Sequence, residues 1–191
     1  MKETCRIVVV ANGGLEKRRS DVDYVEYGDD PFIYARAINL GVEVTPGTED
    51  IVICGDDTRL FTPNGYSKLF RNGDAITSAA ITGCCGNRNQ IWRRTKDLRE
   101  ELTMLCFIAV GIPADVFNAV GGMDERYSID YGCEDGDYCF RARKLGVRLL
   151  VDESVVVEHG VLPSEYRQFG ALSFEKNAKL FEEIHGVPYG T

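Results

Sequence analysis

Apolar runs and helical stripes alternate along this chain, and their order predicts an α/β domain. Residues 6–10 (Arg-Ile-Val-Val-Val) read as a buried strand, closed by the turn Ala11-Asn12-Gly13-Gly14. A second short strand is expected over 22–27. Asp30 before Pro31 predicts a helix start, with proline at the first helical position. Phe32, Ala35, Ile38 and Val42 mark the apolar stripe of that helix, and Gly41 its end. The run 50–54 is the next strand. Strand, helix, strand in this order puts whatever follows residue 54 at a carboxyl end of the sheet, where open α/β folds place their sites.

Further along, Thr62-Pro63-Asn64-Gly65 is a turn opening a helix through Leu69, and 75–82 is a strand. The stretch 86–99 carries Arg88, Arg93, Arg94, Lys96 and Arg99 around Ile91 and Trp92. It reads as a loop or mobile flap, or simply as a solvated surface. The apolar run 103–110 predicts a central strand, 113–119 a short helix, and Gly121-Gly122 a break. Tyr138, Arg141, Ala142 and Leu145 return the helical period until Gly146. Two short strands, 147–151 and 154–157, are expected next. Phe174, Ala178, Phe181 and Ile184 then line one face of a terminal amphipathic helix.

Composition narrows the class. The 191 residues favour one domain, and a net charge of -8 argues against general nucleic-acid binding. The seven cysteines (Cys5, Cys54, Cys84, Cys85, Cys106, Cys133 and Cys139) form no CxxC pair and are odd in number. Free thiols in a reducing compartment, and hence a cytoplasmic location, are expected. No apolar run is long enough to predict a transmembrane segment, and the start does not read as a signal peptide.

Three features carry candidate chemistry. Asp56-Asp57 follows a buried strand; such a pair is either a surface turn or a grip on a divalent cation, which relieves the repulsion between adjacent acids. Glu134-Asp135 opens a helix, where acids cap the free N–H groups or serve as an aimed base. His159-Gly160 follows the apolar run 155–157; His159 is either a satisfied strand-end histidine or a ligand. His185 reads as structural, and Asp137 as part of the helix start. Neither GxGxxG nor GxxxxGK[ST] occurs, which disfavours dinucleotide dehydrogenases and P-loop enzymes.

Taken together, these motifs resemble the GT-A-fold glycosyltransferases of the family 2-like group. Residues 35–41 (Ala-Arg-Ala-Ile-Asn-Leu-Gly) resemble the helix before the metal-binding strand, and 51–58 (Ile-Val-Ile-Cys-Gly-Asp-Asp-Thr) the strand and its DXD motif, with Gly55 in the first acid's place. The segments Ala-Val-Gly-Gly-Met-Asp-Glu-Arg-Tyr and Tyr-Gly-Cys-Glu-Asp-Gly-Asp-Tyr-Cys-Phe-Arg-Ala-Arg-Lys-Leu-Gly resemble the family's GGxDE segment and ED-x-D helix. The resemblance implies a single GT-A-like domain with a mixed central sheet flanked by helices. Residues 1–60 would bind nucleotide, 61–160 would hold the acceptor and catalytic groups, and 161–191 would form the terminal helix.

It further implies Asp57 and His159 as ligands of Mn²⁺ or Mg²⁺, and Asp135 as general base with Glu134 beside it. Ala11, Asn12, Arg36, Asn39, Asp56 and Asp57 fall on the donor side. The donor would be a UDP-sugar or GDP-sugar, and the acceptor a hydroxyl of a glycan, glycolipid or protein, with inversion at the anomeric carbon. The basic stretch 88–99 would cover the diphosphate or meet an anionic acceptor, and Trp92 or Tyr131 would stack on a sugar. The chain departs from the family in its short N-terminal half. Residues 6–13 match either the first family strand or the second, and in the second register Ala11 replaces the acid that contacts the base. A partner subunit or homo-oligomer could supply what is missing. A metal-dependent nucleotidyltransferase and a non-catalytic GT-A-like binding subunit are the alternatives.

Overall fold

The computed structural model describes residues 6–13, 17–28, 31–127, 132–160 and 164–191, with 164–172 described by backbone alone. The first apolar run becomes β1 (Val8–Ala11), which pairs in parallel with β2 (Asp23–Glu26) as a separate two-stranded sheet. Helix α1 (Tyr34–Glu43) follows, then β3 (Ile51–Cys54), β4 (Thr58–Leu60) and the short α2 (Gly65–Lys68). Strand β5 (Ile76–Gly83) leads through a 3-10 turn, Arg88–Gln90, to β6 (Leu98–Glu101) and β7 (Ala109–Ile112). Helices α3 (Ala114–Val120) and α4 (Glu134–Lys144), strand β8 (Leu149–His159) and helix α5 (Ser164–His185) complete the order.

Strands β3 to β8 form one mixed six-stranded sheet in the order β3-β7-β5-β8-β4, with β6 also on β8. Only β5 and β8 run parallel. Period-two alternation sends Ile76 and Ala80 of β5 to one face and Ala79 and Ile81 to the other. The first face meets Ala35 of α1, Val116 of α3, and Tyr138, Cys139 and Ala142 of α4. The second packs on Leu69, Ala109, Val155 and Val157. Phe181, with Ala178 and Ile184 beside it, docks the α5 stripe against Phe140 of α4 and Tyr127. This is the expected α/β domain with helices flanking a mixed central sheet.

Five local expectations need correction. Helix α1 starts at Tyr34, three residues beyond Pro31, and its N-cap is Ile33 in extended geometry; Asp30 lies outside the described residues. The Tyr27 hydroxyl takes over the turn, accepting from the Ile33 N–H at 2.7 Å and donating to the Pro31 carbonyl at 3.1 Å. Gly41 is inside α1, not at its end. An added Cβ would fall 3.1 Å from Val10 Cγ2, so the glycine serves close packing of helix on strand.

The run 103–110 is buried at Leu105 and Phe107 yet turns at 107–108, and its strand starts only at Ala109. The two strands expected over 147–157 are one, β8, with the pairing to β5 jumping from Asp152 to Val156. The basic stretch 86–99 is solvated at Arg88, Arg93, Arg94 and Lys96, as one reading has it, but it is no free flap, being pinned at three points. Gln90 is buried, bonded to Ser78 and Cys106, and the buried Glu153 takes both the Arg99 guanidinium at 3.0 Å and the Arg93 N–H at 2.9 Å. A buried carboxylate left unpaired is costly, which is why this stretch is held.

Candidate functional site

Strand β3 ends at Cys54, and the chain turns through Gly55-Asp56-Asp57 before β4 begins. The Thr58 hydroxyl closes that turn on the Gly55 carbonyl at 2.7 Å. Because β4 pairs with β8 in the register Thr58 to His159, residue 57 lies beside the end of β8. His159 Nε2 stands 3.2 Å from Asp57 Oδ2. The other ring nitrogen, Nδ1, is 2.5 Å from the Cys84 carbonyl oxygen. A carbonyl only accepts, so Nδ1 carries a proton, and that bond turns Nε2 toward the Asp57 carboxylate. Gly160 completes the corner: its N–H bonds the Asp57 carbonyl at 3.2 Å, and a Cβ there would lie 3.3 Å from the Asp57 carboxylate.

The second corner is the start of α4. Cys133 takes a φ of 78° to turn the chain into the helix, leaving Glu134 and Asp135 in the first turn. Asp135 Oδ1 accepts from the Gly136 N–H at 2.7 Å. Burial, then the neighbouring Glu134 charge, push the Asp135 carboxyl up to about 8, against the pull of backbone bonds from Gly136 and Phe107. Burial also raises Glu134. Asp137 turns inward, to His185 Nε2 at 2.7 Å, the Tyr127 hydroxyl at 3.2 Å and Arg141 Nε at 2.8 Å. Three acids in one turn thus divide: two edge the cleft and one ties α4 to α5.

Both corners open into one cleft of about 2200 Å³, lined by Ala11, Asn12, Asp56, Asp57, His159, Glu134 and Asp135 among others. Arg36 and Asn39 are not among the lining residues. The Arg36 guanidinium lies 5.2 Å over the Tyr27 ring. Asn39 bonds both backbone groups of Met123 and the Glu125 carboxylate, pinning the Gly-Gly-Met-Asp-Glu segment onto α1. Trp92 packs against the core, outside the lining set, while Arg88 lines the cleft. Tyr131 lies outside the described residues.

Sequence reasoning passed over several lining residues. Tyr34 donates to the Phe107 carbonyl at 2.8 Å, and Cys85, Cys106 and Tyr189 also face the cleft. One signal was available: Gly136 follows the acid pair, and a Cβ there would fall 2.5 Å from the Tyr189 ring.

Among the described residues, no group of three or more His, Cys, Asp or Glu side chains could enclose a metal. The pair Asp57 and His159 offers one oxygen and one nitrogen donor. Such a pair could supply two of the positions of a Mg²⁺- or Mn²⁺-type ion, which would need further oxygen donors from outside the pair.

A mixed sheet with an acidic turn at the end of β3 and an acid pair heading α4 defines an α/β domain of GT-A-like fold. Among solved structures, the chain is similar to the crystal structure of GalNAc-T7 with UDP, GalNAc and Mn²⁺, with a TM-score of 0.66 over 90% of this chain and 12% sequence identity. The chain spans 41% of the length of that protein, and at this identity the fold is what the two share. No protein-family model and no curated protein matches the chain. Among the described residues, no helix is long and apolar enough to cross a membrane.

Proposed function

We propose that this chain is a metal-dependent glycosyltransferase that moves a sugar from a UDP-sugar or GDP-sugar to a hydroxyl of a glycan, glycolipid or protein, with inversion. One observation carries the reading: a single cleft is edged at one corner by Asp57 and His159 and at another by Glu134 and Asp135. A diphosphate needs cationic help to leave, and an attacking hydroxyl needs a base; the two corners suit these two tasks. The similar GalNAc-T7 structure holds UDP and Mn²⁺, which supports the donor half of this reading.

Asp57 and His159 would hold Mn²⁺ or Mg²⁺, with Asp56 beside them on the donor side. Bound there, the ion supplies charge that stabilises the departing diphosphate. His159 presents Nε2 because the Cys84 carbonyl fixes its Nδ1 proton. Asp135 accepts the acceptor hydroxyl's proton as that oxygen attacks the anomeric carbon from the face opposite the diphosphate. Glu134 keeps Asp135 basic by repulsion and orients the acceptor. Ala11 and Asn12 border the nucleotide, and Arg88 faces phosphate or an anionic acceptor.

The test is Asp135→Asn assayed with nucleotide-sugar donors and a hydroxyl acceptor panel. Transfer should fall by about 10²–10⁴ while Mn²⁺-dependent donor binding stays. Transfer near the wild-type rate would remove Asp135 from the base role. A second reading, a non-catalytic binding subunit, draws on the separation of β1–β2 from the main sheet. It predicts no turnover with any donor.

A further inference from the structure

Two strand edges that line the same cavity pair with no strand among the described residues. In the parallel β1–β2 ladder, Asp23 N–H bonds the Ile7 carbonyl and Tyr27 N–H the Ala11 carbonyl, so odd-numbered residues of β1 point their backbone groups at β2. The N–H and C=O groups of Val8 and Val10 therefore point the other way. In the antiparallel β3–β7 ladder, Gly55 N–H bonds the Ile108 carbonyl, so Ile51 and Ile53 make the bonds to β7. Val52 and Cys54 point away from it. Neither outer edge pairs with any described strand.

Every residue of β1 and every residue of β3 lines the one cleft, together with Ile38, Gly41 and Val42 of α1. Its volume of about 2200 Å³ exceeds the roughly 300–1,000 Å³ typical of small-molecule sites, leaving room beside a nucleotide-sugar. Both walls are apolar, Val-Val-Val-Ala and Ile-Val-Ile-Cys, without the lysine or proline that commonly blunts a free edge. Such runs belong to strands inside a sheet.

We propose that the space between β1 and β3 is a docking slot for an extended apolar strand of a partner polypeptide, joining the two-stranded sheet to the main one. The backbone dictates the occupant, since only an extended peptide offers N–H and C=O groups on both sides at strand spacing. Each wall has four residues, so the inserted strand is about that long. The neighbouring Val and Ile side chains ask for apolar ones in return. A second copy of this chain has no described strand to lend without unpairing it from its own sheet.

The test follows hydrogen exchange at the Val8, Val10, Val52 and Cys54 amides of the full chain, with light scattering to report its mass. The probe is a synthetic peptide of residues 6–11 flanked by lysines, at millimolar concentration. Its control carries prolines at two alternate valines, which removes the donors. In the free monomer these four amides should exchange fast, and the peptide should slow them about tenfold or more while the proline control does not. Slow exchange in the free monomer, or no response to the peptide, overturns the slot. Slow exchange only in a dimer gives the slot to a second copy and overturns the partner strand. Neither nucleotide nor metal enters the assay, so its failure leaves the transfer reading untouched.

Discussion

At Gly83 the backbone φ is 93°, and an added Cβ would fall 2.2 Å from the His159 carbonyl oxygen. This glycine ends β5 where β8 delivers His159, so a side chain there must push the histidine strand away. Gly83→Ala should lower stability by about 1–3 kcal/mol in urea titration and weaken Mn²⁺-dependent nucleotide binding. Unchanged binding would remove His159 from the proposed metal site. Asp135 should give transfer a pH dependence. A carboxyl raised to about 8 keeps its proton at neutral pH, so a base role requires transfer to climb with pH through that region. Glu134→Gln removes the repelling neighbour and should shift the acid limb to lower pH; a limb that stays put would contradict the coupling. The sign for stability runs the other way. The folded state holds this proton more tightly than the unfolded chain, so the contribution is full below the ordinary carboxylate range, near 4, and is lost as pH rises towards 8. Asp135→Asn should flatten that loss in a pH series of melting curves.

The junction of α4 and α5 rests on Asp137, whose two oxygens are shared among His185, Tyr127 and Arg141. Its side chain is 1% exposed, so removing it takes the carboxylate from the nearly buried His185 ring and from the partly exposed Arg141 guanidinium. Asp137→Ala should cost about 3–5 kcal/mol by denaturant unfolding, against little for the same change at exposed Asp115. A small loss would show that α5 does not depend on this ion pair. The elements were mostly legible in the sequence because periodicity reports burial. Where they were misread, tertiary contacts decided. Gly41 looked like a helix stop because nothing local shows that Val10 lies against it. The stretch 86–99 read equally as a flap or a solvated surface because Glu153, which takes the Arg93 N–H and the Arg99 guanidinium, is far away in sequence. Asp56, Asp57, Glu134, Asp135 and His159 all reach one cleft, but Arg36 and Asn39 do not, since a helix motif says nothing of which side faces the site.

At the scale of the molecule, the sheet brings the end of β3, the end of β8 and the start of α4 to a common cleft. That convergence was readable only as an order of motifs; the isolation of β1–β2 was not readable at all, because strand pairing is not written in any one segment. In the proposed function Asp57 and His159 hold a divalent cation against a nucleoside diphosphate. Isothermal titration of the protein and of Asp57→Asn with UDP and GDP, each with Mn²⁺ and with EDTA, tests it most directly. The wild type should bind one nucleotide in a way that requires Mn²⁺, and that binding should disappear in Asp57→Asn. Equal binding in EDTA, or an unaltered isotherm for the variant, would contradict it.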